Sequence, residues 1–422
     1  MTATATEEDI AAARERALEQ IVDLALAVGP LSAITDRYFS HTARIVAAAG
    51  DSVVTYALFL RRRVIAALEP ARRLLQRLVP EARVTPCFAE GEVVPAEAKI
   101  MEVTGSMARL SEVETVLLQL AGLPCVCAVN AHDMCRALPR AAFMDMHARH
   151  GAGPLMNLLA AYGAAVGSEA ARAADREVKG FVGSSQDLTA PFFGRLQGMG
   201  TMPHSLVGYA GGDVLEAMKL FVAHVPEASH VIALVDYQGR EIDDALRCAR
   251  WFYEEARLHE QGKVFGVRLD THGGRFCQGL DWETSVETVG AWLDAQGEYA
   301  IVEKVLGGRA FRLDQDNILV DRVRRHLFGA GVSVAACIHM RSSLDAAGFR
   351  EAIIVASSGF TPQKCEVFGA TRAPVDMVGT GSFLPVRYAE TFATADIIAY
   401  DGEHRVKIGR EHLLGKTDES GD

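Results

Sequence analysis

The 422-residue chain is poor in positive charge, in paired cysteines and in long apolar runs. Its eight cysteines are scattered, with no C-x-x-C pair. In a chain of this length that argues against a disulfide framework and for reduced, mostly buried thiols. The net charge of −11 excludes nonspecific attachment to a phosphate backbone, so no nucleic-acid partner is expected. The longest apolar stretch, "LMNLLAAYGAAVG", falls short of the roughly 20 residues of a membrane helix, and no membrane span is expected. The first residues, "MTATATEEDI", are acidic where a secretory leader is basic and then apolar, which gives a cytoplasmic expectation.

What is present is ordinary for a globular protein, with 49% apolar and 23% charged residues. The length allows two or three domains, or one large barrel with a smaller domain. Residues 8–28 read as an amphipathic helix and residues 52–80 as a further helical stretch. Within it, "LFLRRRVIAALEPARRLLQRLVP" sets arginines between apolar residues at helical spacing, a solvated face with an anion-binding surface as the alternative. Residues 87–104 alternate around Gly and Pro and read as two short strands, followed by a helix over about 110–137.

From residue 229 the rhythm changes. "SHVIALVDYQG" reads as a strand. "REIDDALRCARWFYEEARLHEQG" reads as a helix with Ile242, Leu246, Ala249 and Tyr253 on one face and Gly262 as its stop. Next come "KVFGVRLD" as a strand, "DWETSVETVGAWLDAQG" as a helix, "YAIVEKV" as a strand and "VDRVRRHLFGAG" as a helix. "VSVAACIHM" and "EAIIVASSG" read as strands, "TPQKCEVFGATRA" as a helix with Thr361 as N-cap and Pro362 in its first turn, and "VDMVGTGS" closes the series. Such alternation predicts parallel strands joined by crossovers, and this many units favour a TIM-like barrel over an open sheet.

In a barrel, functional residues gather at the C-terminal ends of strands. Asp236 and Tyr237 end one strand, Arg268 and Asp270 the next, Ser357 to Gly359 a later one, and Gly379 to Ser382 the last. Arg268 and Asp270 alternate along a strand and so face one side, a costly placement unless a ligand uses it. The Gly-rich turns offer bare backbone N–H groups suited to a phosphomonoester, so the rim is expected to bind a phosphosugar.

The ordered series "TDRYFSHT", "EGEVVPAEAKIMEVTG", "EVETVLLQLAG", "DMHARHG", "FVGSS", "GTMPHSLV", "ALVDYQG", "GVRLD", "SSGF", "VDMVGTGS" and "ADIIAYDGEHRVKIGR" resembles the nicotinate and nicotinamide phosphoribosyltransferases, which share a fold with quinolinate phosphoribosyltransferase. The resemblance implies an α/β fold in which an irregular TIM-like α/β barrel, residues 146–384, accompanies a discontinuous α/β sandwich domain, residues 1–145 completed by 385–422. It implies NAD salvage chemistry, in which 5-phosphoribosyl pyrophosphate and a pyridine carboxylate, nicotinate, give a mononucleotide and pyrophosphate, with Mg²⁺ and in many members ATP hydrolysis. It also implies a homodimer or higher homo-oligomer with shared active sites. Departure of pyrophosphate leaves an oxocarbenium-like sugar, so positioning and electrostatics carry such a reaction.

Carried across by motif, Tyr38 matches a tyrosine that stacks on the pyridine from the neighbouring subunit, and Arg149 an arginine near the base and pyrophosphate. Met146, Ser185 and Thr201 fall among the substrate-binding positions. His204 matches the histidine phosphorylated in ATP-coupled members, with Asp236 beside it. Arg268 matches a phosphate-side arginine and Asp270 the aspartate on the ribose hydroxyls. Gly359, Gly379, Thr380 and Gly381 match the cradle of the 5′-phosphate, and no residue is assigned to a metal. Nicotinamide-using relatives carry Asp where this chain has Ser185; a hydroxyl can donate to a carboxylate, which an Asp would repel, so the position reads as acid-preferring. Three departures stand out. "DTHGG" lacks the second acid common in relatives, Met146 replaces a phenylalanine that sandwiches the base, and Pro203 replaces a small residue.

Read alone, several of these residues have plainer roles: His204 as a surface histidine, Arg268 with Asp270 as a rim salt bridge, Tyr38 as a core aromatic and "VGTGS" as a tight turn. Cys125, Cys127, His132 and Cys135 could be drawn as zinc ligands, but Cys125 and Cys127 would point to different faces of a helix. Rival functions are a phosphoribosyltransferase for another base, a noncatalytic nucleotide-binding homologue, and an aldolase barrel using Lys304 as its Schiff-base lysine.

Overall fold

Thr6 and Asp9 close a capping box at the start of helix α1 (Glu7–Ala27), and Ala17, Leu18, Ile21, Val22 and Ala25 give that helix one buried stripe. The structure, a computed structural model, describes residues 6–297 and 317–415. After α1 come α2 (Leu31–Ile34), α3 (Arg37–Ala49), β1 (Val53–Leu60), β2 (Val64–Ile65), α4 (Glu69–Leu78), β3 (Arg83–Pro86), β4 (Val93–Val94), β5 (Lys99–Ser106) and α5 (Met107–Ala137). The late strands β12 (Ala393–Tyr400) and β13 (Glu403–His404) return to this region and complete an antiparallel sheet in the order β13-β12-β1-β5-β3.

Residues 52–80 therefore differ from the single helical stretch predicted from sequence. Val54, Tyr56, Leu58 and Leu60 of β1 face the main core, while Ala57 and Phe59 face a second, small core with Ile398 and Leu413. Both faces are apolar, so the period of two that marks a strand is hidden in the sequence. Only α4 is helical there, and Arg72 and Arg77 lie on its exposed face while Arg73 is half-buried. Arg73 pairs with Glu15, Glu19 and Glu69, and Arg77 with Glu19 and Asp23, so the basic face of α4 is laced to the acidic face of α1.

Helix α5 is, by length and composition, long and apolar enough to cross a membrane, yet 78% of its most apolar window is buried inside the fold. It serves as the common wall of the molecule. Helix α6 (Pro154–Ala174) lies against it so closely that a Cβ built on Gly163 would stand 2.3 Å from the Pro124 carbonyl oxygen, and one on Gly167 1.9 Å from that of Ala128.

The second sheet is wholly parallel: β6 (Ala142–Asp145), β7 (Gly180–Ser184), β8 (His230–Leu234), β9 (Val264–Leu269), β10 (Ile353–Ala356) and β11 (Met377–Thr380), in the order β7-β6-β11-β10-β9-β8. That order is the cyclic order of a barrel opened at one seam, since among the described residues only the β7–β8 ladder is missing. Between the strands run α7 (His204–Tyr209), α8 (Val214–His224), α9 (Glu241–Arg250), α10 (Trp282–Gln296), α11 (Asn317–Phe328), α12 (Val334–Ala346) and α13 (Pro362–Ala370). The strand expected at "YAIVEKV", with Lys304, lies outside the described residues.

Two expectations in this half are corrected. "VSVAACIHM" is not a strand but the first turns of α12, which Ser333 caps by accepting from the Ala336 amide. Nearly every side of that short run is buried, so periodicity cannot separate helix from strand. Helix α9 ends at Arg250 and passes into a π-helical turn, Trp251–Glu255. Its buried side carries Glu241, Asp244, Ala245, Cys248 and Ala249, whereas Ile242, Leu246 and Tyr253 are only partly covered. Gly262 does close the segment, in the left-handed conformation, after a 3₁₀ turn at Leu258–Gln261.

Two tests follow from this packing. Gly167→Ala should destabilise the protein by about 1–3 kcal/mol or more, read from the urea midpoint, because the new methyl meets backbone that cannot yield. Glu114, buried on α5 among Tyr56, Asp36 and Asp396, has its carboxyl pushed by burial up to about 8 from 4.5. The folded protein keeps a proton that the unfolded chain releases, so this stability is complete below about pH 4.5 and is lost as pH rises toward about 8. Glu114→Gln should flatten that fall in a series of urea melts between these values.

Candidate functional site at the mouth of the parallel sheet

Each parallel strand ends at the same side, and five of them send residues into one cavity of about 590 Å³. Met144 and Met146 come from the end of β6, Ser185 and Gln186 from β7, Arg268 and Asp270 from β9, Ser357 to Phe360 from β10, and Gly379 to Phe383 from β11. Thr201, Met199 and Pro203 enter from the loop before α7, and Arg149 and His150 from a 3₁₀ turn after β6. Ten of the residues expected from sequence thus border a single space: Met146, Arg149, Ser185, Thr201, Arg268, Asp270, Gly359, Gly379, Thr380 and Gly381.

The mouth is tied together by backbone. The Ser357 amide donates to the Leu269 carbonyl at 2.9 Å, the Met146 amide to Thr380 at 2.7 Å and the Ser185 amide to Asp145 at 2.8 Å. Close approach explains two glycines. A Cβ on Gly379 would lie 2.7 Å from the Met146 thioether, and one on Gly381 2.6 Å from the Met146 carbonyl oxygen. His147, buried behind the rim, donates from Nδ1 to the Gly381 carbonyl at 2.7 Å and so fixes the last glycine turn. Asp145, 1% exposed, has its carboxyl pushed up to about 6 by burial, against the opposing pull of the His147 amide and Ser184.

Arg268 is the best-anchored charge. Its Nη1 donates to the Thr201 hydroxyl at 2.7 Å and Nη2 to the Met202 carbonyl at 3.3 Å, while Nε is buried without a partner. Burial lowers its pKa, opposed by the nearby Asp270 and Asp236. No ion pair joins Arg268 to Asp270 among the described residues, so the rim salt bridge considered from sequence is absent. Asp270 has no protein partner there and faces the cavity, which frees it for a ligand. As a carboxylate without a protein partner it could hold a hard cation such as Mg²⁺ together with further oxygen ligands. Among the described residues no group of three or more His, Cys, Asp or Glu is arranged to hold a metal ion by itself, the Cys125–Cys135 stretch included.

His204 and Asp236 stand beside the cavity rather than in it. His204 opens α7 and its Nε2 lies 3.1 Å from both carboxylate oxygens of Asp236. The Asp236 loop is braced by residues that the sequence reading missed. Arg275 donates from Nη2 to the Asp236 carbonyl at 2.7 Å and pairs through Nη1 with Glu241 at 2.6 Å. Glu241, fully buried, also accepts from Thr271 at 3.0 Å and from the Gln278 amide at 3.1 Å. An acid immediately after a strand–turn, on what the spacing made the wrong helix face, was the available signal. Tyr38 is not brought to the mouth within one chain. It sits 62% exposed on α3 and borders a separate hollow with Phe39, Tyr56 and Tyr400.

A parallel sheet in barrel order, with its site at the strand ends, is joined to an antiparallel sheet that β12 and β13 complete. Residues 36–123, which run from α3 into the first half of α5, match the family model described as quinolinate phosphoribosyl transferase, N-terminal domain. Over 96% of this chain and 80% of its own, nicotinate-nucleotide pyrophosphorylase from Pyrococcus furiosus superposes with a TM-score of 0.61 at 20% identity. NadC from Streptococcus pyogenes does so with 0.53 at 15% identity, over 90% of this chain and 97% of its own. Human nicotinic acid phosphoribosyltransferase gives 0.50 at 16% identity, over 88% and 76%. No curated protein sequence matches the chain. The chain therefore has the fold of these phosphoribosyltransferases.

The Glu241 hub is testable. Glu241→Ala leaves the half-buried Arg275 without its ion-pair partner and the Thr271 hydroxyl and Gln278 amide without their acceptor, and should cost about 1–3 kcal/mol in urea unfolding. A loss below about 1 kcal/mol would mean that Arg275 is held by the Asp236 carbonyl alone.

Proposed function

We propose that the protein is a nicotinate phosphoribosyltransferase, joining nicotinate to 5-phosphoribosyl pyrophosphate with release of pyrophosphate. One observation carries the reading: a single cavity at the strand ends holds an anchored guanidinium, a carboxylate with no protein partner and a turn of close-packed glycines. Those are the groups that a sugar bearing a phosphate at one end and a pyrophosphate at the other requires. The pyridine nitrogen would attack C1 of the ribose as the bond from C1 to the pyrophosphate oxygen breaks, the electron pair leaving with pyrophosphate. Asp270 would hold the ribose hydroxyls and offset the positive charge that develops on the sugar. Arg268 would take the phosphate side, and the turn from Gly379 to Gly381, with Thr380 and Gly359, the 5′-phosphate.

Ser185 supports a carboxylate-bearing base, since its hydroxyl can donate to one. Arg149, exposed at the rim, would meet the charged end of the base or the pyrophosphate. Mg²⁺, when bound, would neutralise pyrophosphate charge. His204, oriented by Asp236, would be the residue modified if ATP is coupled to turnover. Tyr38 would reach the mouth of a second copy, so that a homodimer completes the site. A second reading, a different base, is supported by Met144, Met146 and Met199, which give the cavity adaptable thioether walls.

The test is product analysis by mass spectrometry after incubation with phosphoribosyl pyrophosphate, Mg²⁺ and, separately, nicotinate, nicotinamide and quinolinate, each with and without ATP. Nicotinate mononucleotide is the expected product, formed from nicotinate alone among the three bases. Asp270→Ala should abolish turnover with an unchanged circular dichroism spectrum, and near-normal activity in that variant would overturn the ribose assignment. Product from another base with none from nicotinate would replace the leading reading with the second.

A further inference from the structure

We infer that Lys364 is a positioning residue for the phosphate cradle, an ammonium set behind the Ser358–Gly359 turn that keeps the amide edge of this turn facing the cavity. The inference rests on the reading of that turn as part of the cradle. Lys364 lies in the first turn of α13, is 5% exposed and does not border the cavity. Its Nζ donates to the Ser358 carbonyl at 2.9 Å and stands 4.2 Å from the centre of the Phe360 ring and 5.6 Å from that of Phe368. No carboxylate pairs with it among the described residues. A buried cation without a counter-ion is expensive, and two aromatic faces and one carbonyl offset only part of that cost.

What the lysine holds is itself strained. Ser358 has φ of 74° and Gly359 of 73°, so a residue with a side chain occupies the left-handed region at the rim. The described peptide bonds are all trans. In a trans peptide the carbonyl and the following N–H point in opposite directions. Fixing the Ser358 oxygen on a lysine behind the turn therefore directs the Gly359 N–H to the other side, where Ser357, Ser358, Gly359 and Phe360 border the cavity. The same charge, in a poorly screened setting, adds positive potential beneath the turn.

The groups around Lys364 are Asp270 after β9, Cys337 on α12, Cys365 beside it on α13 and His326 on α11. Burial draws the Lys364 pKa down to about 8, and burial together with Lys364 draws that of His326 down to about 4. His326 is thus neutral wherever Lys364 titrates, and Lys364 loses its charge as pH passes through about 8.

Calorimetric titration of the full chain with ribose 5-phosphate between about pH 7 and pH 10 tests this, because the phosphomonoester is already dianionic over that range. In the unmodified protein affinity should fall roughly tenfold through pH 8, the size of one lost charge-assisted hydrogen bond. Lys364→Met should bind roughly tenfold more weakly at pH 7, with no further dependence on pH. Lys364→Arg, which keeps its charge throughout, should retain binding at pH 9. Unchanged affinity in Lys364→Met would overturn the role of the lysine while leaving the cradle standing. A flat profile in the unmodified protein would do the same without any variant having to fold. Failure of the unmodified protein to bind ribose 5-phosphate at any pH would overturn the cradle reading, and this inference with it.

Discussion

The contact between α5 and α6 is the constraint on which the rest of the molecule depends. Two glycines one turn apart, Gly163 and Gly167, let the second helix settle onto the carbonyl oxygens of Pro124 and Ala128. Further along α5, Gly369 of α13 approaches the Ala137 carbonyl in the same way, a built Cβ standing 1.9 Å from that oxygen. One helix is thereby gripped by the antiparallel sheet near its start and by the helices of the parallel sheet near its end. The main hydrophobic core runs through both without a break, from Ala17 to Ala393. Backbone-to-backbone approach of this kind leaves no room for side-chain adjustment, so the relative placement of the two sheets follows from a few small residues.

Placement of the sheets in turn fixes the mouth. Its charges sit where strands end because a strand terminus is where the backbone ladder stops and side chains can turn inward to a cavity. The arrangement is asymmetric. Arg268 is anchored by two hydrogen bonds and half-buried, Asp236 is engaged by His204, and Asp270 and Arg149 face the cavity without protein partners. A carboxylate and a guanidinium that face one cavity without protein partners, beside braced neighbours, form an electrostatic arrangement set in place before any ligand arrives.

Much of the site could be read from the sequence, because it lies at strand termini that alternation identifies. Arg268, Asp270 and the glycine turn at 379–381 were legible in this way. The supporting shell was not. Glu241, Arg275, His147 and Lys364 act through backbone carbonyls and buried partners at long sequence separation, and nothing in local spacing marks such pairings. The errors in secondary structure share one physical origin. Strand β1 and helix α12 are apolar on nearly all sides, so neither shows the periodicity that separates strand from helix, and only their neighbours decide. In α9 the helical face was misplaced because Glu241, Asp244 and Cys248 are buried as a polar and ionic stripe while Ile242 and Leu246 lie at its margin.

Strand β1 sits between β5 and β12, and its outward residues Ala57 and Phe59 are covered by Ile398 and Leu413. Val54 pairs with Tyr400 and Leu60 with Ala393, partners more than three hundred residues away along the chain. During synthesis the ribosome therefore releases β1 and β5 with one edge of their sheet unpaired and one face of the central strand uncovered. That edge stays open until β12 and Leu413 have emerged, an interval in which the strands of the parallel sheet are made. The order in which the chain is made thus runs opposite to the order in which this sheet can be finished, which ties completion of the antiparallel sheet to residues translated after the parallel one.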